Sequence, residues 1–287
     1  MSAPNIHILT VTCPATTGIV AAITGFLAEQ ACYITEMSQY DDETTQKFFC
    51  RIMFRPDPER SSDIATLRER FTRIAQAFAM QWRMTNANRP MRVILMVSTA
   101  DHCLVDLLYR KHKGDLNVDI VCVISNHTAL RSIVEREGIR FVCLPVNKDN
   151  KAEQETRMLE IINDTQAELV VLARYMQILS DDVCHQLAGM CINIHHSFLP
   201  GFKGARPYHQ AYDRGVKLIG ATAHYVTSDL DEGPIIEQSV ERVDHTYRPE
   251  DLAALGRDLE NSALAKAVRL HTEHRVFVDG NKTVVFK

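Results

Sequence analysis

The sequence predicts an α/β protein in two parts, a small βαββαβ unit followed by a larger unit built around a mostly parallel sheet. In the first part, apolar residues recur at strand and helix spacings in the order strand, helix, strand, strand, helix, strand. After a break at 86–90 that contains Asn and Pro, short apolar runs alternate with helix-like segments. That alternation is typical of βαβ units, whose strands run parallel. We therefore expect two domains, at residues 1–87 and 91–287.

The elements of the first part follow from local signals. Helices are predicted at 18–31 and from the N-caps at 61–63 to Met80, because each has one apolar stripe. The proline-containing segment 55–58 ends the third strand, since proline cannot donate to a strand ladder. This order gives an antiparallel sheet with two helices on one face, a ferredoxin-like arrangement. The predicted strands are 7–13, 33–40, 47–54 and 81–86.

The second part is predicted to be Rossmann-like. Ligands of such sheets bind beyond the carboxyl ends of the strands, so we expect the functional residues there. An Asp279-Gly280 pair predicts a hairpin at 276–286. The predicted strands are 92–98, 119–125, 140–146, 169–175, 191–195 and 220–226. The predicted helices are 101–113, 128–137, 151–165, 181–190 and a covering helix at 248–274.

Composition excludes several classes of partner. The chain has 32 Lys and Arg against 36 Asp and Glu, a net charge of −4, so we expect no nucleic-acid partner. None of the eight cysteines is at C-x-x-C spacing, and most lie in apolar runs, as buried cysteines do. No apolar stretch is long enough for a membrane span and no secretory signal is visible. We expect a cytoplasmic protein that does not bind membranes.

Three polar residues are candidates for catalysis. Asn193 and His195 are two apart in a predicted strand, so their side chains leave on one face, whereas His196 is expected on the other. Asp231 follows in a turn rich in Asp and Gly. An amide N–H stabilises an oxyanion, an imidazole moves a proton near neutral pH, and a carboxylate orients the imidazole. These residue types suit formyl or acyl transfer.

Three motifs frame this candidate site: INIHHSFLP at 192–200, His224, and LDEGP at 230–234. With them, residues 91–287 resemble the formyltransferase family that uses 10-formyltetrahydrofolate. The resemblance implies that Asn193, His195 and Asp231 are catalytic. It implies supporting roles for His224, Ser197 and Lys203. The folate-binding residues that it implies are Arg174, Tyr175, Met176, Gln177, Ile178, Leu179, Thr227, Ser228, Asp229 and Leu230.

The first part resembles an ACT domain, the small amino-acid-sensing module. The resemblance rests on LTVTCP at 9–14, GIV at 18–20 and FLAE at 26–29. It implies a regulatory domain that pairs with copies of itself, and therefore a homo-oligomer, either a dimer or a tetramer. It also implies an amino-acid effector such as glycine or methionine.

The acceptor of the formyl group is a separate question. Residues 97–104 contain no glycine, and Asp101 would repel a phosphate at a helix N-terminus. We interpret Ser98, Thr99 and Asp101 as helix caps, which disfavours a phosphorylated acceptor. Net charge disfavours tRNA. Water remains, and together with the ACT-like part the chain resembles the deformylase branch of the family.

The resulting hypothesis is hydrolysis of 10-formyltetrahydrofolate to tetrahydrofolate and formate, with no metal and no cofactor besides the folate substrate. Three alternatives stay open. The first is formyl transfer to a small unphosphorylated amine. The second is a metal hydrolase with His195, His224 and Asp231 as ligands, although no H-E-x-x-H pattern supports it. The third is a folate-binding protein without catalysis.

Overall fold

A computed structural model describes residues 5–200 and 207–287, which divide into two units. The first unit contains the described residues before Pro90 together with Glu273–Phe277 and Val284–Lys287. The second contains Pro90–Thr272 and Val278–Thr283. The sequence-based boundary kept all of 91–287 together, whereas the structure packs two short C-terminal segments into the first unit. Sequence periodicity gives no information about such long-range packing.

The first unit has the predicted βαββαβ order. Its four strands form an antiparallel sheet in the order β2-β3-β1-β4. Leu9, Ile52 and Phe54 from the sheet pack with Ile23 and Phe71 from the helices, all fully buried. The elements are β1 (His7–Pro14), α1 (Ile19–Glu29), β2 (Cys32–Asp42), β3 (Lys47–Pro56), α2 (Ile64–Ala77) and β4 (Gln81–Asn86).

The C-terminal segments cover the other face of this sheet. The aromatic rings of Phe277 and Phe286 cluster with fully buried Phe49 of β3. Beside them, the guanidinium of Arg51, only 1% exposed, donates to the Glu273 carbonyl at 2.9 Å and to Glu36 at 2.8 Å. Five consecutive residues of β3 are therefore buried, because both faces of the strand are covered.

The second unit is built on a seven-stranded sheet in the order β11-β10-β9-β8-β5-β6-β7. The strands β5 to β9 are parallel, as predicted, and β10 and β11 are antiparallel additions at one edge. The strands are β5 (Met91–Val97), β6 (Val118–Ser125), β7 (Phe141–Cys143), β8 (Leu169–Leu172), β9 (Cys191–His195), β10 (Leu218–Tyr225) and β11 (Ile235–Arg242). The helices are α3 (His102–Lys113), α4 (Arg131–Arg136), α5 (Lys151–Asp164), α6 (Asp181–Gln186), α7 (Pro207–Arg214) and α8 (Pro249–Thr272).

Two differences from the sequence-based expectation matter for function. Strand β11 was not predicted, and its polar outer residues explain why: most of the strand is only partly buried. Strand β8 ends at Leu172, not at Tyr175, so residues 173–179 form a loop at the carboxyl end of the sheet. The predicted hairpin is confirmed as β12 (Val276–Asp279) and β13 (Lys282–Val285), with Gly280 at φ 62° in the turn.

Strand residues of the sheet and residues of α5 form a core of the second unit. Ile94, Val170 and Leu172 pack with Met158 and Ile162 of α5. Long helix α8 buries its apolar stripe, including Ala263 and Leu264, as predicted for a covering helix. Across the described ranges, none of the helices combines the length and apolarity that a membrane span requires.

Candidate active site

The strand pair β9–β10 sets two candidate residues side by side. Asn193 and His224 are opposite one another in the antiparallel ladder, and Nδ2 of Asn193 lies 3.3 Å from Nε2 of His224. Nδ1 of His224 lies 2.9 Å from the carbonyl oxygen of Tyr225, which has no hydrogen to give, so this nitrogen is the donor. In the neutral ring, Nε2 therefore accepts from the Asn193 amide and fixes its orientation.

The turn after β10 brings Asp231 to the same place. Asp231 adopts φ 58°, a left-handed conformation that Asp tolerates better than most residues. Its Oδ1 lies 3.1 Å from Nδ1 of His195 and 3.7 Å from Nε2 of His224. The hydrogen bond from His195 is the main cause that holds the pKa of the Asp231 carboxyl well below its usual range. The carboxylate is therefore ionised at neutral pH.

Gly233 allows this turn to approach the sheet closely. A Cβ at this position would lie 1.8 Å from the carbonyl oxygen of Tyr225, a distance that no side chain permits. Any other residue at 233 would push the turn away from β10. Asp231 would then lose its contact with His195.

His195 is oriented at one nitrogen and open at the other. Its side chain is 6% exposed, and Nδ1 donates toward the ionised Asp231. Its Nε2 is buried and has no hydrogen-bond partner among the described residues. The lone pair of Nε2 is thus available to a group that enters the site.

The expectation that His196 points away from His195 is wrong. Strand β9 ends at His195, so the alternation of side chains stops there. The two imidazole rings stack with centroids 4.8 Å apart and an interplanar angle of 20°. Nη1 of Arg174 lies 2.9 Å from Nδ1 of His196.

A cavity of about 250 Å³ opens beside these residues. Most of the predicted folate-binding residues line it, with Met176, Ile178 and Leu230 more than half exposed at its mouth. Asp229 is not among the lining residues, and its carbonyl accepts a hydrogen bond from Thr227 Oγ1 within the turn. The lining residues from the sequence-based set are Arg174, Tyr175, Met176, Gln177, Ile178, Leu179, Thr227, Ser228, Leu230, Asn193, His195, His224 and Asp231.

The loop that forms one wall of this cavity is anchored in two ways. Tyr175 and Leu179 are buried in the core, and burial raises the pKa of Tyr175 to about 12. The Ser98 hydroxyl accepts from the Met176 N–H at 2.9 Å and donates to Asn126 Oδ1 at 2.7 Å.

The interpretation of Ser98, Thr99 and Asp101 as ordinary helix caps is therefore wrong for Ser98, and for Asp101 it is confirmed in position only. Ser98 uses its hydroxyl to hold the loop. Asp101 occupies the N-cap position of α3 but makes no side-chain capping bond.

The predicted supporting residue Ser197 is not among the residues that line the cavity. Ser197 is buried, and its carbonyl accepts from Thr222 Oγ1 at 2.9 Å. Thr222 Oγ1 also accepts from the Leu199 N–H at 3.1 Å. These two hydrogen bonds to Thr222 fix the main chain at residues 197–199, directly after β9. Lys203 lies outside the described residues.

The chain is similar to known proteins over most of its length. The sequence pattern of the formyl transferase family matches residues 91–268. The chain belongs to the formyl transferase family. Its relatives include a formyltetrahydrofolate deformylase from Corynebacterium sp. (strain P-1), 53% identical over 98% of both chains. Another, from Bacillus subtilis (strain 168), is 48% identical over 97% of this chain and 93% of the relative.

A solved structure supports the same family. The crystal structure of a formyltetrahydrofolate deformylase from Burkholderia mallei ATCC 23344 matches with a TM-score of 0.95 and 50% identity. The match covers 99% of this chain and all of that one. The likeness to these formyl transferase family relatives thus includes the first unit as well as the second.

This family member also contains a buried polar cluster that the sequence analysis missed. Glu260 of α8 is 1% exposed. Its carboxylate accepts from Tyr208 at 3.0 Å, lies 2.8 Å from Nε2 of His102, and forms an ion pair with Nε of Arg174 at 3.3 Å. The available signal was a charged residue inside the apolar stripe of a covering helix.

The charge of Glu260 is stabilised by its partners. Burial alone would raise the pKa of Glu260, but the hydrogen bond from His102 and the charge of Arg174 outweigh it, so the pKa lies below its usual value. Burial and the nearby Glu260 charge raise the pKa of Tyr208, which stays protonated and donates. The buried Glu260 carboxylate is therefore ionised and has Tyr208, His102 and Arg174 as its partners.

Two groups of residues offer potential metal ligands in this formyl transferase family member. His102, Cys103 and Glu260 bring ligand atoms within 4.8 Å of one another, but a divalent cation would compete with Arg174 for the same carboxylate. A cation on His195, His224 and Asp231 would have to replace their direct contacts at 3.1 and 3.7 Å. The arrangement is better suited to proton transfer than to metal binding.

Proposed function

We propose that this protein hydrolyses 10-formyltetrahydrofolate to tetrahydrofolate and formate, with His195, Asp231 and Asn193 as the catalytic residues. The observation that carries the proposal is the oriented His195–Asp231 pair, whose open Nε2 borders the cavity. The deformylase names of relatives that match nearly the whole chain support water as the acceptor.

The reaction begins with proton removal from water. Nε2 of His195 accepts a proton from a water molecule, and the water oxygen forms a bond to the formyl carbon. The resulting imidazolium is stabilised by the ionised Asp231 on its other nitrogen. The carbonyl oxygen becomes an oxyanion, which accepts a hydrogen bond from Nδ2 of Asn193.

The second step breaks the bond between carbon and N10. The imidazolium returns its proton to N10, the C–N10 bond breaks, and tetrahydrofolate leaves as a neutral amine. The oxygen from water stays in formic acid, which ionises in solution. His195 returns to its starting state, and neither a metal nor a further cofactor takes part in this scheme.

His224 supports the oxyanion donor. Because Nδ1 of His224 is committed to the Tyr225 carbonyl, its Nε2 accepts one hydrogen of the Asn193 amide. Because this contact restricts rotation of the Asn193 amide, the second hydrogen on Nδ2 keeps a fixed direction and can donate to the oxyanion. In this account, His224 acts through Asn193 and not on the substrate.

The folate ring system occupies the cavity between the 174–179 loop and the turn at 227–231. The exposed apolar side chains of Met176, Ile178 and Leu230, which line this cavity, offer contact area to the ring system. Ser98 holds the loop in position through the Met176 N–H.

The first unit has a regulatory role in this account. Its βαββαβ sheet is the basis for proposing a homo-oligomer, a dimer or tetramer, and an amino-acid effector such as glycine or methionine. Calorimetry tests the effector directly: absence of binding of either amino acid at millimolar concentration would remove it. All eight cysteines are free, which suits a reducing compartment such as the cytoplasm.

The experiment for the hydrolytic reaction uses the purified protein in buffer without any amine. Formate and tetrahydrofolate are quantified together after addition of 10-formyltetrahydrofolate. We expect enzyme-dependent release of both in equal amounts. Release that requires an added small amine, with a formylated amine as product, would make the protein a transferase.

A further inference from the structure

Each ring of the His195–His196 stack contacts a charged side chain, Asp231 at His195 and Arg174 at His196. Nη1 of Arg174 lies 2.9 Å from Nδ1 of His196, and Nε of Arg174 lies 3.3 Å from the Glu260 carboxylate. The Arg174 side chain is 19% exposed and that of Glu260 only 2%. The buried ion pair between Glu260 and Arg174 thus contacts His196, whose ring stacks on the proposed base His195.

The chemistry of this contact assigns the hydrogen positions on His196. A guanidinium has only donors, so the atom that faces it at hydrogen-bond distance, Nδ1, must carry the lone pair. His196 is then the neutral tautomer with its hydrogen on Nε2. A proton on Nδ1 would face a cation, so protonation at this atom is disfavoured.

The two stacked rings therefore have opposite electrostatic partners. Nδ1 of His195 faces the carboxylate of Asp231, whereas Nδ1 of His196 faces the guanidinium of Arg174. A proton from water goes to His195, and the ring beneath it stays neutral and does not repel the imidazolium. Stacking on one face and Asp231 at one edge together fix the direction of His195 Nε2.

Placing Arg174 and Glu260 in this way costs free energy at both residues. Arg174 adopts φ 66°, in the left-handed region that non-glycine residues rarely occupy. Glu260 is an ionised side chain within the buried stripe of α8, and it needs Tyr208, His102 and Arg174 as partners. The guanidinium that these two features hold lies beside His196.

We propose that Arg174, held by Glu260, is a positioning residue that keeps His196 neutral and stacked, so that His195 alone acts as the base. The proposal rests on the proposed function, and it changes the role of Arg174 from a folate ligand to a residue that acts through His196. Loss of Arg174 should therefore lower turnover and leave substrate binding nearly unchanged.

The kinetic test compares Arg174→Met with the wild type and with Arg131→Met, which removes an exposed arginine of α4. We expect kcat of Arg174→Met to fall on the order of 10–100-fold, while KM for 10-formyltetrahydrofolate changes less than about threefold. Arg174→Lys, which keeps one charged donor, should recover part of kcat. An unchanged kcat, or a raised KM at normal kcat, would overturn the proposal.

A second variant covers loss of folding. Arg174→Met leaves Glu260 without its cation, so Arg174→Met/Glu260→Gln removes both charges together. We expect the double variant to keep a wild-type unfolding transition and to show the same kcat defect. A folded double variant with wild-type kcat would contradict the proposal.

A spectroscopic test separates this proposal from the proposed function. In the wild-type protein labelled with ¹⁵N-histidine, His196 should show an unprotonated Nδ1 and a protonated Nε2 at neutral pH. In Arg174→Met the two tautomers should exchange. A protonated Nδ1 in the wild type would overturn the positioning role whether or not the protein hydrolyses the folate, whereas a wild type without hydrolysis would overturn only the proposed function.

Discussion

Oδ1 of Asp231 lies 3.1 Å from Nδ1 of His195, and a left-handed main chain at φ 58° places it there. The two residues come from different elements, the end of β9 and the turn after β10. Gly233 permits the turn to contact β10, and β10 pairs with β9. The geometry of the candidate site therefore depends on an antiparallel strand added to a mostly parallel sheet.

Replacing this carboxylate should abolish most turnover and leave the fold intact. Asp231→Asn keeps the size of the side chain but removes the charge that stabilises the His195 imidazolium. We expect kcat to fall about 10³–10⁴-fold, the scale found when a histidine loses its orienting aspartate. Formate release is the measurement, and Asp258→Asn on the exposed face of α8 is the control. Turnover within tenfold of the wild type would refute the assigned role.

The same carboxylate should make stability depend on acid pH. The pKa of Asp231 is lowered in the folded state by His195 and His224, so its contribution is present above the ordinary Asp pKa of about 4 and is lost as pH falls through the folded value. The difference in free energy of unfolding between wild type and Asp231→Asn should therefore shrink below about pH 4. Urea unfolding at a series of pH values measures it. A difference that stays constant down to about pH 2 would show that no lowered pKa is involved.

His224 should affect turnover and not folate binding. His224→Ala removes the acceptor that orients the Asn193 amide, so the oxyanion donor is free to rotate. We expect kcat to fall roughly 10–100-fold with KM nearly unchanged. Steady-state kinetics are the measurement, and His112→Ala, at an exposed position of α3, is the control. A rise in KM alone would instead make His224 part of the folate site.

Ser98 should show the reverse pattern. Ser98→Ala removes the hydroxyl that accepts from the Met176 N–H, and one hydrogen bond of this kind is worth about 0.5–1.5 kcal/mol. We expect KM to rise about 2–10-fold, since the loosened loop binds folate less well, with kcat close to normal. Ser132→Ala on α4 is the matched control. A fall in kcat without a change in KM would contradict this account of the loop.

Sequence periodicity predicted the fold because most elements bury one face. The βαββαβ order, the parallel strands and helix α8 all follow from apolar spacing. Strand β11 and the early end of β8 were missed, because β11 is largely polar and the buried Tyr175 prolongs the apolar run beyond the strand. The packing of the C-terminal phenylalanines on Phe49 involves contacts too distant in the chain for any local pattern.

The candidate site was predictable where a motif or a local rule applied. Asn193 and His195 share a face because they are two apart in a strand, and the structure brings Asp231 to them. His196 could not be placed, since the strand rule fails at the residue after the strand ends. The partners of Glu260 lie on other elements, so only its position in an apolar stripe could have indicated a buried network.

The central claim is that water, activated by His195, is the acceptor of the formyl group. The most direct measurement is turnover of 10-formyltetrahydrofolate in H₂¹⁸O, with mass analysis of the formate, for the wild type and His195→Ala. We predict one ¹⁸O atom in each formate molecule from the wild type, and release at the uncatalysed rate from His195→Ala. Formate without the label, or labelled formate released at the wild-type rate by His195→Ala, would contradict the account.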